Sequence, residues 1–140
     1  FPGGLMMVDF ETGHFGDPAF DLGFFNAHLV LKCFHAAATG LPVPRFARLL
    51  EAFWSQYAAI LQEHLSLDEW EKLLQRFWRH LAGCLLARVV GKSQIDYLHD
   101  SRWRARVRRV ALQLWESPPP QIEQLPQAVI SWTHKENTSS

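Results

Sequence analysis

Val8-Asp9-Phe10-Glu11-Thr12-Gly13-His14-Phe15-Gly16-Asp17-Pro18-Ala19-Phe20-Asp21-Leu22-Gly23 carries four carboxylates and neither lysine nor arginine. Their mutual repulsion must be relieved by a cation, by hydrogen bonds or by separation in the fold. The stretch also changes character along its length. Residues 5–10 form a short apolar run bounded by Gly3-Gly4 and Thr12-Gly13, the pattern of one strand. Asp17-Pro18 then reads as a helix start, with aspartate suited to the cap and proline to the first turn.

Downstream the pattern is helical. The first helix is predicted to run to Thr39, stopped by Gly40-Leu41-Pro42. Over residues 43–65, Phe46, Leu49, Leu50, Phe53, Trp54, Tyr57, Ile60 and Leu61 recur at three and four, one face of an amphipathic helix. Ser66-Leu67-Asp68-Glu69 is a capping box that opens the next helix. Trp70, Leu73, Leu74, Phe77, Trp78, Leu81, Cys84 and Leu85 are its inward line, and Gly91 its stop. Residues 93–98 read as a turn or short helix. Asp100-Ser101 then caps a basic helix with the apolar line Trp103, Val107, Val110, Ala111 and Leu114, ended by Ser117-Pro118-Pro119-Pro120. A final short helix is predicted over 122–132, and 133–140 is a polar tail.

The chain has 140 residues, 48% of them hydrophobic, enough for one domain with a core. Fourteen basic and fourteen acidic residues cancel, which argues against wholesale attraction to nucleic acid or to an acidic membrane. The balance is not local: residues 1–42 hold four acids against Lys32 alone, and residues 88–109 hold seven bases against Asp96 and Asp100. Cys33 and Cys84 sit in apolar helical stretches and read as buried thiols. The most apolar run, 22–34, is interrupted by Asn26, His28 and Lys32, so a cytoplasmic protein without a membrane span is the expectation. A lone strand cannot satisfy its own backbone groups. Together with a start at Phe1, this leads us to expect a piece of a longer protein.

An aspartate at the end of an apolar strand, as Asp9 is, holds its carboxylate at the lip of a core, where it can meet Mg²⁺ without burying a bare charge. Val8-Asp9-Phe10-Glu11 followed by Gly16-Asp17-Pro18-Ala19-Phe20-Asp21-Leu22-Gly23 resembles the metal-binding segment of the aminoglycoside phosphotransferase and choline kinase family of small-molecule kinases. Residues 87–98, Ala-Arg-Val-Val-Gly-Lys-Ser-Gln-Ile-Asp-Tyr-Leu, are similar to a segment between two helices of the substrate-binding lobe in bacterial members. Read as a phosphate loop, Gly91-Lys92-Ser93 fails, because Leu86 stands where that loop needs glycine.

The resemblance implies a mainly α chain: the carboxy-terminal helical part of a protein-kinase-like α+β fold, with one short strand near its start. The lobe portion is 1–132, divided into a metal strand and loop over 5–23 and a helical subdomain over 18–132. It further implies that Asp9 is the ligand of magnesium and the contact to ATP, with Glu11 a second candidate near the metal, Asp21 structural beneath a catalytic loop, and Asp17 a helix cap. The implied activity is transfer of the γ-phosphoryl of ATP to a hydroxyl of a small-molecule acceptor. The family's His-Gly-Asp loop with its following asparagine, and its nucleotide-binding amino-terminal lobe, are absent from the sequence, so no catalytic base is expected within the chain. It would be expected upstream of Phe1, leaving this portion inactive alone. The competing expectation is a non-catalytic helical interaction module derived from a kinase-like protein.

The remaining groups carry blander readings. Seven histidines are scattered, and His28 and His35, seven apart on one helical face, lack a third metal ligand. Arg102, Arg104, Arg106, Arg108 and Arg109 surround a regular apolar line and read as a solvated face pairing with acids elsewhere, not as a nucleic-acid motif.

Overall fold

Local signals account for where each helix begins and ends in the computed structural model, which describes residues 13, 15–92 and 94–134. Helix α1 spans Pro18–Thr39; the Asp17 side chain accepts a hydrogen bond from the Ala19 amide, and Gly40 closes the helix at φ 75°, a left-handed conformation that glycine adopts without strain. Helix α2, Val43–Gln62, stops three residues short of the predicted 65. The reason lies in the next helix. Ser66 must be extended, at φ −64° and ψ 161°, to act as the cap of α3, Leu67–Val89, and the chain must leave helical geometry before it. The capping box is complete: Glu69 N–H donates to Ser66 Oγ at 3.3 Å, and Ser66 N–H donates to Glu69 Oε2 at 2.9 Å.

Helix α4, Ser101–Glu116, starts at Asp100, whose carboxylate accepts from the Arg102 amide. A 3₁₀ turn at Ile122–Gln124 leads into α5, Leu125–Thr133. Thr133, assigned from sequence to the tail, is the buried last residue of α5. Residues 94–98 are not helical, and the described residues contain no strand. The strand predicted over 5–10 lies outside the described residues, as do 135–140. Among the described residues no helix is long and apolar enough to cross a membrane.

Helix α1 is the central element, touching α2, α3, α4 and α5, with its most extensive interface to α3. That interface depends on Gly23. A Cβ at Gly23 would lie 2.6 Å from His80 Cβ and 2.8 Å from the Leu81 backbone nitrogen, so the two helices touch there at backbone distance. Around this contact α1 buries Leu22, Ala27, Val30, Leu31, Cys33 and Phe34. Burial pushes the Cys33 thiol up to about 12, so it is a core group and not a nucleophile. Cys84, read as buried, is only half-buried.

The α1–α2 contact is built around Asn26, a fully buried polar residue. Its Nδ2 donates to the Leu22 carbonyl at 2.8 Å, and its Oδ1 accepts from Trp54 Nε1 at 2.9 Å. Each polar atom that burial would otherwise leave unsatisfied therefore has a partner. The Trp54 ring sits edge-on to Phe77 at 4.8 Å and to Trp70 at 6.5 Å, joining α2 to α3. All of the apolar line expected for α4 is buried: Trp103, Val107, Val110, Ala111 and Leu114.

Two glycines in helices make opposite predictions. Gly23→Ala should destabilise the chain by about 1–3 kcal/mol, because His80 and the Leu81 backbone must move. Gly83→Ala, where a Cβ would meet nothing within 4 Å, should stabilise it by up to about 1 kcal/mol. Urea denaturation of the two variants beside the parent checks both signs. Trp54→Phe, which strands Asn26 Oδ1, should cost about 1–3 kcal/mol in the same assay.

Candidate functional site

Asp17 is where the acidic segment meets the helical body. Besides capping α1, its Oδ2 accepts from Arg76 Nε of α3 at 2.7 Å, a pairing across 59 positions of sequence. His80 Nε2 stands 3.9 Å from the same oxygen. Partial burial works against ionisation of Asp17, but the Arg76 and Ala19 hydrogen bonds and the nearby positive charge outweigh it and hold the carboxyl below its ordinary value. Arg76 is steadied in turn, since its Nη1 donates to the Lys72 carbonyl at 3.1 Å. The Gly16-Asp17-Pro18 turn is thus fastened to α3 as well as to its own helix.

One turn on, Asp21 lies exposed near the start of α1, where the helix dipole favours a carboxylate. Its charge is felt by Tyr57 of α2: burial first, and the Asp21 carboxylate second, push that phenol up. Tyr57 lines a groove of about 350 Å³ that opens at the amino-terminal end of α1. Pro18, Leu61, Leu65 and Leu73 make its apolar wall, and Glu69, Lys72 and Arg76 its polar lip. Both cations at the lip are held by carboxylates, Lys72 by Asp68 at 2.6 Å and Arg76 by Asp17 at 2.7 Å.

Asp9 and Glu11, the residues expected at the metal, lie outside the described residues. Among the described residues no three histidine, cysteine, aspartate or glutamate side chains gather in a way that could hold a metal ion. Asp17 is occupied by the cap and by Arg76, so the four carboxylates of the opening stretch do not share one role.

No family model, no curated protein and no solved structure matches this chain.

The arginines of α4 divide differently from the expectation. Arg102 pairs with Asp100 at 3.1 Å, but Arg106 lies over the Trp103 ring at 5.6 Å. Arg104 donates to the Val89 carbonyl at 2.7 Å and to Gln94, so it clasps the loop after α3 instead of pairing with an acid. Arg76 did not stand out in the sequence, and Arg104 was read only as part of a solvated arginine face. Both occupy ordinary polar positions of amphipathic helices, and only the packing supplies their partners.

Because the folded carboxyl of Asp17 is held below its ordinary value, its ion pair stabilises the chain above about pH 4 and that contribution is lost as pH falls through the folded value. Asp17→Asn, which retains a capping side chain but not the charge, should melt below the parent at neutral pH. The gap should close on acidification or in high salt. Since both partners are substantially exposed, the difference should stay under about 1 kcal/mol. Melting curves across pH and salt provide the check.

Proposed function

We propose that this chain is the carboxy-terminal, mostly helical part of an ATP-dependent phosphotransferase that phosphorylates a hydroxyl of a small molecule, with Asp9 binding Mg-ATP. The observation that carries the proposal is the resemblance of Val8-Asp9-Phe10-Glu11 with Gly16-Asp17-Pro18-Ala19-Phe20-Asp21-Leu22-Gly23 to the metal-binding segment of the aminoglycoside phosphotransferase and choline kinase family. The geometry adds support at the helix. Arg76 fastens Asp17, near the end of that stretch, to α3 beside the groove of Tyr57, Leu61 and Lys72.

The described carboxylates fit the roles that the resemblance implies for them. Asp17 is spent on the cap and on Arg76. Asp21 is exposed and stands ready to accept hydrogen bonds from a neighbouring catalytic loop of the parent protein. The resemblance gives the metal role to Asp9, with Glu11 as the second candidate. Magnesium bound there would neutralise charge that spreads over the transferred phosphoryl oxygens. The groove offers an apolar wall and a polar lip to the acceptor; in the parent protein a His-Gly-Asp catalytic loop ahead of Phe1 would supply the base, and an amino-terminal lobe the nucleotide cover.

In the full-length parent, Asp9→Ala should reduce magnesium-dependent phosphate transfer to a hydroxyl acceptor by about a thousandfold or more, with an unchanged circular dichroism spectrum. Retained transfer would overturn the assignment of Asp9. Failure of the unaltered parent to transfer phosphate from ATP to any of a panel of amino-sugar, amino-alcohol and sugar hydroxyls would favour a non-catalytic helical interaction module.

A further inference from the structure

The groove lined by Tyr57 is narrower in its chemistry than the proposed activity requires, and it lies where three helix ends meet. Pro18 opens α1, Leu61 comes from the last turn of α2, and Glu69 and Leu73 belong to the first two turns of α3. Leu65 stands in the turn between α2 and α3, and its amide donates to the Leu61 carbonyl at 2.9 Å, so the turn holds both leucines at the groove. The volume, about 350 Å³, falls within the range of small-molecule sites, roughly 300–1,000 Å³. Tyr57, Leu61 and Leu65 are half-buried against the core, and each leaves apolar surface for a ligand to cover.

The charges at the lip are already matched. Lys72 is held by Asp68 at 2.6 Å and Arg76 by Asp17 at 2.7 Å. Glu69 Oε2 accepts from the Ser66 amide at 2.9 Å and from the Ser66 hydroxyl at 2.7 Å. Two helix amino termini meet here, yet the amides an anion would seek are engaged: Ala19 by the Asp17 carboxylate, Glu69 by Ser66 Oγ, and Phe20 and Trp70 by the carbonyls of Asp17 and Ser66. The carboxylates of Asp17, Asp68 and Glu69 would repel an anion as well. A cation gains little either. Glu69 and Asp68 are exposed to water, where an added ammonium would be screened and would compete with Lys72 for Asp68. Asp21, whose charge reaches Tyr57, is exposed too.

What the lining residues do offer is apolar surface and one neutral hydroxyl, that of Tyr57. Burial first, and the Asp21 carboxylate second, push this phenol up, so it stays protonated at neutral pH and donates or accepts without carrying charge. A sugar or other polyol placed here would set hydroxyls against Pro18, Leu61, Leu65 and Leu73, where they find no partners, and that desolvation is costly. An apolar body gains by covering the same residues.

We infer that this groove binds a neutral, apolar alcohol, with a compact hydrocarbon body against the leucines and a single hydroxyl served by Tyr57. The inference deepens the phosphotransferase proposal and rests on it for one point, that the bound alcohol is the acceptor. The preference for an uncharged, apolar body comes from the groove itself.

The test titrates the full-length protein with cyclohexylmethanol, with its amine analogue cyclohexylmethylamine and with glucose, each followed by NMR of the ligand. Saturable binding of the alcohol is expected, at least about tenfold tighter than that of the amine or of glucose. Tyr57→Phe should weaken alcohol binding about threefold, and Leu61→Gln about tenfold. Leu65→Gln takes the place of Leu61→Gln if circular dichroism shows that the latter has lost the parent's fold. No saturable binding of the alcohol, binding of the amine or glucose as tight as that of the alcohol, or the parent's affinity in a folded leucine variant would overturn the inference. Incubation with Mg-ATP separates it from the reading it rests on. An alcohol that binds with these preferences and is never phosphorylated removes the phosphotransferase proposal while the groove's ligand class stands. Phosphate transfer to an amino-sugar by a protein that does not bind the alcohol does the reverse.

Discussion

The close approach of α1 and α3 at Gly23 sets the spacing of the molecule. With a Cβ there, His80 and the Leu81 backbone would have to retreat, and the buried face of α3 with them. Arg76 and His80, one helical turn apart on α3, reach Asp17 only because the helix lies this close. The fastening of the acidic turn is thus a consequence of packing one turn further along α1. A core contact and a site contact share one geometric cause.

Polar groups inside the bundle show why the arrangement is specific and not merely apolar. Asn26 would be costly in the core without Trp54, and the indole N–H of Trp54 would be equally costly without Asn26. Each excludes registers of α1 against α2 in which the other lacks a partner. The Tyr97 and His35 corner is the contrasting case, where burial is not matched by partners within the described residues. At that corner Lys32 meets the Tyr97 ring, whereas at the groove Lys72 and Arg76 are each matched by a carboxylate.

Much of the helical architecture was legible because its signals are local. Asp17-Pro18, Ser66 with Glu69, Asp100 and Gly40 each act on backbone groups within a few residues, so their effects can be read without a fold. Inward faces were legible for the same reason, since apolar spacing at three and four follows from helix geometry alone. Departures arose where an element had to answer to another. Helix α2 yielded its last turn to the cap of α3, Cys84 proved marginal at the edge of its face, and Arg104 turned to the carbonyl of Val89 at the end of α3. For the candidate site, the capping role of Asp17 was readable from its proline neighbour. Arg76, Tyr57 and Lys72 were not, because no local rule connects residues so distant along the chain.

The sequence by itself determined that this chain is mainly helical, where each described helix starts and stops to within a few residues, and which side chains turn inward. Those properties follow from hydrogen bonds and periodicities spanning one or two turns. Only the tertiary structure decided that Gly23 is a point of backbone contact, that Asn26 belongs to Trp54, and that Asp17 is tied to α3 while Lys32 meets Tyr97. Each of these depends on the distance between two helices or between a helix and a loop. That distance is set by the summed shapes of all the side chains between them, and no short stretch of sequence contains it.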